Sequence, residues 1–157
     1  MPAILILLSL TACSDGTTSA MADYDTIIAD MTTLVADHGA AVSSATTLED
    51  VSAAEATYLT DWGTQRDAMS KHMDMLGGCT MDDADQGLMD DGMAMMDEMD
   101  AAVTDHTAAQ DAAADVAACQ TEETAHDTMM NEDITTMAAY STEWADSMKC
   151  MASGMAM

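Results

Sequence analysis

The sequence predicts an all-α fold, an up-down-up-down bundle of four helices. From residue 22 onward, apolar residues recur every three or four positions, which is the period of an amphipathic helix. No run of alternating β-branched residues indicates a strand, and the only proline is Pro2. Because proline is what most often interrupts a helix, nothing after Pro2 is expected to break these segments.

The first two predicted helices are separated by a capping signal. Helix one covers about 22–43. Helix two begins beside Thr47 and Asp50, which have the spacing of a capping box, and it continues to Leu76. The Gly-Gly pair that follows ends it, since glycine favours the backbone conformation found just beyond a helix C-terminus.

The second pair of predicted helices follows after a short acidic loop, Asp82 to Asp85, which we interpret as helix-capping acids. Helix three runs from about Gln86 to Cys119. Helix four opens at Thr121, which two glutamates follow, as the helix dipole favours. Short connections make sequential helices antiparallel neighbours, and this predicts the up-down-up-down order.

The N-terminal residues predict export and a lipid anchor. Residues 2–12 form an uncharged apolar run that is too short to span a bilayer but typical of an export signal. Leu10, Thr11, Ala12 and Cys13 follow the pattern of an aliphatic residue, two small residues and a cysteine. They resemble the lipobox of bacterial lipoproteins, whose cysteine is lipidated and becomes the N-terminus after cleavage.

This resemblance implies three segments: a signal peptide at 1–12, a lipidated flexible tether at 13–21 and the bundle at 22–157. Ser14, in place of Asp, implies attachment to the outer membrane, facing the periplasm. No Lys or Arg precedes the apolar run, which departs from the usual pattern. The alternatives are a plain signal peptide or a chance match to the motif.

The chain is strongly acidic, with a formal net charge of -26 from 29 acidic and 3 basic residues. Such a field repels nucleic acid and concentrates cations, so DNA and RNA are excluded as partners. An acidic surface that only keeps the protein soluble in a salty habitat is the alternative.

Methionine replaces the usual aliphatic residues. Beyond Cys13 there are 18 methionines against 13 Leu, Ile and Val together, and no Phe. Thioether sulfur is a soft, neutral ligand suited to Cu(I) or Ag(I). Methionine is also an adaptable gap filler, or the material of a pliable docking surface for a partner helix.

The predicted topology brings many methionines to one end of the bundle, where helix one begins, helix two ends, helix three begins and helix four ends. Met75 and Met93 point away from the packed face, which core filling does not explain. We therefore expect a Cu(I) site at this end. Its candidate ligands are Met69, His72, Met73, Met96, Met99, Met148 and Met151.

Three further histidines lie on predicted apolar faces. At about 1.5 Å rise per residue, His38 and His126 lie near the turn between helices three and four, and His106 lies nearer the middle. A ladder of metal sites would draw on His38, His106, His126, Met31, Met130 and Met137. The alternative is a neutral core histidine bonded to a neighbour, for example His106 to Asp133 or Tyr58.

The remaining cysteines fit an oxidising compartment. Cys79 and Cys150 share the Met-rich end and are the predicted disulfide. Cys119 is left over, either as a small buried hydrophobe or as a soft ligand beside His38 and His126.

Other functional motifs are weak. Glu123-Thr-Ala-His126 resembles the Glu-x-x-His step of ferritin-like di-iron bundles, but helix two has no second copy. No motif indicates an enzyme, and no organic cofactor is expected, although a b-type haem remains an alternative.

The sequence therefore predicts a periplasmic lipoprotein that binds Cu(I) for storage or sequestration, with metal ions and a metal-transfer protein as partners. It is similar in architecture to bacterial copper-storage bundles, which use cysteines instead. The alternative function is an envelope interaction protein with a Met-rich docking end.

Overall fold

A computed structural model describes residues 7–77 and 82–154, with side chains described at 23–74, 82–140, 142 and 143. The described residues form four α-helices and no strand. The helices are α1 (Leu7–Ser44), α2 (Leu48–Gly77), α3 (Asp83–Ala112) and α4 (Val116–Gly154). They form a compact four-helix bundle, which confirms the predicted fold class.

The helices do not pack equally closely. The helix α1 packs tightly against α2 and α4, and α3 packs tightly against α4, whereas α2 and α3 contact each other less. The looser α2–α3 side is joined by polar groups, because Trp62 Nε1 donates to Asp100 Oδ1 at 2.8 Å and Arg66 pairs with the same carboxylate.

Two helix starts are capped as the sequence predicts. Thr47 Oγ1 accepts a hydrogen bond from Asp50 N at 3.1 Å, and Asp50 Oδ2 accepts one from Thr47 N at 2.9 Å, which completes the capping box. Asp82 caps α3 by accepting from Ala84 N and Asp85 N, both at 2.9 Å.

The boundary between α3 and α4 differs from the prediction. Helix α3 ends at Ala112, and α4 begins at Val116 with Asp115 Oδ1 accepting from Ala118 N at 2.9 Å. Thr121 and Cys119 therefore both lie inside α4. The prediction was wrong here because the alanine-rich stretch across this turn contains no glycine or proline, so helical periodicity continues through it.

The helix α1 also begins earlier than expected, at Leu7, so residues 13–21 are helical where a flexible tether was predicted. Apart from Gly16, this segment contains no residue that strongly disfavours helix. Cleavage before Cys13 stays a prediction. Among the described residues, no helix has an apolar stretch long enough to cross a membrane.

The interior consists of two apolar clusters. The larger cluster fills most of the bundle and includes Tyr24, whose hydroxyl donates to Met137 O at 2.8 Å. The smaller cluster comprises Val42, Ala45, Val51 and Cys119, near the turns that follow α1 and α3. The layer between them is polar although it is buried, and it contains the site described next.

Candidate metal centre

The polar layer is built from one ligand-bearing side chain on each helix. These are His38 on α1, Glu55 on α2, His106 on α3 and Glu123 on α4. All four side chains are buried, and one ligand atom from each lies within 4.8 Å of the others. Buried charged residues are unusual unless they are paired or bind a metal, so this layer needs a chemical explanation.

The four ligand atoms converge on one point. His38 Nε2 lies 3.1 Å from both Glu55 Oε1 and Glu123 Oε2. His106 Nε2 lies 2.9 Å from Glu55 Oε1 and 3.1 Å from Glu123 Oε2. The two Nε2 atoms are 3.3 Å apart. A tetrahedral site with metal–ligand bonds of about 2.0–2.1 Å has edges of roughly 3.3 Å. The distance between the two Nε2 atoms equals this edge, and the four histidine–glutamate distances, at 2.9–3.1 Å, are slightly shorter.

Two aromatic rings hold the histidines in place. The ring of Tyr58 stacks on His38 with centroids 4.1 Å apart, and the ring of His126 stacks on His106 at 4.0 Å. Tyr58 and His126 are joined to each other by a 2.9 Å hydrogen bond between the hydroxyl and Nε2. This pair therefore lies beside the four ligands and fixes the planes of both imidazoles.

Polar groups also orient the carboxylates. Gln110 Nε2 donates to Glu123 Oε2 at 3.3 Å and to Cys119 O at 3.2 Å. Thr107 Oγ1 donates to Val103 O at 2.9 Å and lies 3.5 Å from Glu55 Oε2. Such outer contacts are typical of metal centres, where they set the direction of each ligand.

Protons shared between the histidines and the glutamates hold the layer together. Burial lowers the pKa of His38 and of His106, but hydrogen bonds to Glu123 and Glu55 outweigh it and raise both values to about 9. Burial raises the pKa of Glu55 and of Glu123, while hydrogen bonds to the two histidines lower both to about 2. Two imidazolium groups and two carboxylates therefore share the layer at neutral pH.

His126 differs from these two histidines. Burial, together with the positive charge of His106, lowers its pKa to about 4. A neutral His126 can accept the Tyr58 proton at Nε2, which is consistent with the short hydrogen bond between them. The pKa of Tyr58 is raised, chiefly by burial, so its hydroxyl keeps that proton.

The four residues of the layer follow a spacing that occurs twice in the sequence. His106 follows His38 by 68 positions, Glu123 follows Glu55 by 68, and each glutamate follows its histidine by 17. The α1–α2 and α3–α4 hairpins thus each supply one histidine and one glutamate to a site with approximate twofold symmetry. The same offset of 68 relates three further pairs of buried residues that are identical in type, which are Met31 and Met99, Val35 and Val103, and Met69 and Met137.

The structure groups the predicted histidines differently from the sequence analysis. His38 and His106 lie at one level, although His106 was expected nearer the middle of the bundle. The suggested partners of His106, Asp133 and Tyr58, are wrong: it bonds to Glu55 and Glu123. His126 fits the alternative of a neutral core histidine.

The glutamates were missed, because a glutamate in an amphipathic helix is assigned by default to the solvent face. The signal that could have revealed them is the 68-residue repeat of an Asp-His pair followed by a glutamate 17 positions after the histidine. The Glu-x-x-His step on α4 has its counterpart in Glu55 and Tyr58, so tyrosine occupies the place of the second histidine that a di-iron site would use.

The predicted methionine ligands that the structure describes lie in the larger apolar cluster. They are Met31, Met69, Met73, Met96, Met99, Met130 and Met137. These buried side chains do not form an exposed docking surface, whereas Met93 is 38% and Met129 40% exposed, and the Met-rich docking end stays an alternative. The side chains of Met75, Met148, Met151, Cys13, Cys79 and Cys150 lie outside the described residues, so the disulfide stays a prediction.

Cys119 is a small buried hydrophobe in the other apolar cluster. Burial raises the pKa of its thiol, which disfavours the thiolate that a metal would need. Its backbone carbonyl, rather than its sulfur, is connected to the polar layer through Gln110.

The arrangement can hold one four-coordinate cation in a closed, protein-only shell. Four ligands leave no open coordination position for a substrate. Comparison with known proteins adds no further assignment: no family model matches the chain, and no curated protein and no solved structure matches it.

Proposed function

We propose that this protein binds one divalent transition-metal ion, with zinc the best fit, through His38, Glu55, His106 and Glu123. The observation that carries the proposal is the convergence of four ligand atoms, one from each helix, at tetrahedral spacing. In the metal-free protein two imidazolium groups and two carboxylates balance each other, and a divalent ion would take the place of the two imidazolium protons.

The ligand types and their charge favour a divalent ion at this layer. Imidazole and carboxylate suit zinc and related divalent metals, whereas Cu(I) prefers sulfur. Two carboxylates and two neutral imidazoles carry a charge of about -2, which a divalent ion neutralises. A monovalent ion would leave a buried negative charge, and uncompensated buried charge is costly.

The closed shell favours holding the ion over catalysis. Because each helix supplies one ligand, a bound ion would tie both hairpins together, and its binding free energy would add to the stability of the fold. The protein is therefore proposed as a metal-storing or metal-sequestering bundle, and no catalytic step is assigned to it.

The proposed setting is the bacterial cell envelope. The lipobox resemblance at Leu10 to Cys13 supports a lipid anchor on the outer membrane, facing the periplasm. The net charge of -26 supports the same function, since an acidic surface raises the local concentration of cations. A protein partner that delivers or receives the metal belongs to this proposal.

The test is a metal titration of the purified full chain after metal removal. Zinc affinity is measured by competition with a chromogenic chelator, and Co²⁺ reports geometry through the intense visible absorption of tetrahedral cobalt. We expect one zinc per chain. Glu123→Gln should lower the affinity by more than the roughly 10–100-fold typical of losing an outer-shell partner.

Glu122→Gln is the matched control, since it removes the same charge from the exposed neighbouring position. It should bind zinc like the parent. A parent that takes up no zinc, or an equal loss in both variants, would show that the layer is a proton-linked core network and not a metal site.

A further inference from the structure

The fourth buried histidine lies far from the metal centre, at the other end of the larger apolar cluster. His72 on α2 is 1% exposed, and neither ring nitrogen has a hydrogen-bond partner among the described residues. Burial lowers its pKa, so the ring is neutral and offers a free lone pair. A buried polar group without a partner is rare in a native protein and needs an explanation.

The polar group that contacts this ring is already engaged. The ring of Tyr24 lies 5.3 Å from that of His72, centroid to centroid. However, the Tyr24 hydroxyl donates its proton to Met137 O at 2.8 Å, so it cannot donate to the imidazole as well. Among the described side chains of α2, the buried neighbours of His72 are the sulfur-containing Met69 and Met73.

Met69 and Met73 share the inward face of α2 with His72. Met69 is 0% exposed and Met73 is 2% exposed, and both belong to the apolar cluster. Met69 precedes His72 by three positions, which places the two side chains one above the other on the same helix face. The three residues thus lie within about one turn and all face the interior.

The helix α3 brings a third sulfur to the same level. Met89 precedes His106 by 17 positions, as His72 follows Glu55 by 17. Because α2 and α3 run antiparallel from the level that Glu55 and His106 share, equal steps along each helix reach equal heights. Met89 is partly buried and packs against the larger cluster.

We propose that His72, Met69, Met73 and Met89 form a second metal site, for the soft monovalent ion Cu(I). All four ligands are neutral, which suits an ion of single charge in an apolar interior better than a divalent ion. Thioethers bind without releasing a proton, and they are not lost to disulfides in an oxidising compartment.

This site is independent of the His/Glu centre. Seventeen residues along α2 separate His72 from Glu55, or about 25 Å at 1.5 Å per residue. Variants at one site should therefore leave binding at the other unchanged, and the failure of one proposal can be distinguished from failure of the other.

The experiment uses Ag(I), which has the same charge and softness but does not oxidise in air, and then Cu(I) in competition with a colorimetric chelator. The test variant is Met69→Leu with Met73→Leu, which nearly conserves apolar volume. The control is Met31→Leu with Met130→Leu, two methionines equally buried in the same cluster but at a different level. Both variants should bind zinc like the parent, which verifies their fold.

We expect the test variant to lose about 100-fold or more in Ag(I) affinity at this site, and the control to lose little. Nitrogen NMR of the histidine rings gives a second readout, because Ag(I) should shift a ring nitrogen of His72 and leave those of His126 in place. Unchanged affinity in the test variant, an equal loss in the control, or an unmoved His72 signal would overturn the proposal.

Discussion

Four histidines of one chain are placed in three electrostatic environments. His38 and His106 face two carboxylates, and the pKa of each rises to about 9. His126 stacks on His106 and bonds to the Tyr58 hydroxyl rather than to a carboxylate, so burial lowers its pKa to about 4. His72 is enclosed mainly by apolar side chains, and burial lowers its pKa too. Residue type alone therefore does not set charge; the neighbours contributed by other helices do.

The pH dependence of the metal-free protein follows from these shifts. His38 and His106 have folded pKa values of about 9 against 6.5 ordinarily, so their contribution is complete below pH 6.5 and is lost as pH rises through 9. His126 acts in the opposite sense, since its contribution is lost as pH falls from 6.5 through about 4. We expect the unfolding temperature of metal-free protein to fall between pH 6.5 and 9.

Circular dichroism at constant ionic strength measures this dependence. Saturating zinc should abolish the decline in unfolding temperature at alkaline pH. The bound ion takes the place of the two imidazolium protons, so raising the pH removes no proton from the layer. A metal-free unfolding temperature that stays level from pH 6.5 to 9 would contradict the charge states assigned to the layer.

At the scale of the helices, the α1–α2 and α3–α4 hairpins share the 68-residue repeat, but equivalent positions make different contacts with the other hairpin. Gly39 on α1 is buried, and a Cβ atom there would overlap the Asp127 carboxylate on α4. The position 68 residues later is Thr107, whose hydroxyl lies 3.5 Å from Glu55 Oε2 and donates to Val103 O at 2.9 Å. Burial and the nearby Glu123 raise the pKa of Asp127 to about 6, so this close contact involves a carboxyl group that is partly protonated near neutral pH.

A pair of glycine substitutions tests this difference. Gly63 lies exposed inside α2, with nothing within 4 Å of the place that an added methyl group would take. Gly63→Ala should raise the free energy of unfolding by about 0.5–1 kcal/mol, since alanine has the higher helix propensity. Gly39→Ala should gain less or lose stability, because Asp127 must move. Urea denaturation measures both, and an equal gain in the two variants would show that the α1–α4 contact is loose.

Across the whole molecule, the surface is acidic and the buried centre is charge-paired. Nearly all of the acidic residues that the structure describes lie exposed or half-buried, while the centre pairs two buried carboxylates with two histidines. The surface therefore attracts cations without selecting among them, and the proposed sites select by ligand type and charge. Attachment to a membrane through Cys13 would keep this acidic bundle at one surface of the cell envelope.

The anchor is tested by Cys13→Ser in a bacterial host. The variant should remain unprocessed at this site and should no longer carry lipid, because the modification forms on the cysteine sulfur. Membrane fractionation and mass spectrometry of the N-terminal peptide provide the measurement. A variant that is lipidated and membrane-bound like the parent would rule out the lipobox interpretation.

Much of the architecture is determined by the sequence itself. The three-to-four spacing of apolar residues is a local property of the helix, and it predicts four helices and the inward faces that carry His38, His106 and His126. Capping at Thr47 and Asp50 is equally local. The turn at Asp115 was not predicted, because the alanine-rich segment around it has a high helix propensity and contains no residue that marks a break.

Only the tertiary structure decided which residues form the centre. Glu55 and Glu123 look ordinary in their own helices, and their burial follows from the two histidines, one from each hairpin, that lie within 3.1 Å of both. A buried carboxylate is stable only beside such partners, and partners separated by tens of residues in sequence meet only when the helices pack. The same packing buried His72 without a hydrogen-bond partner among the described residues. The chemistry available at each histidine was therefore decided by the assembly of the bundle and not by helical periodicity.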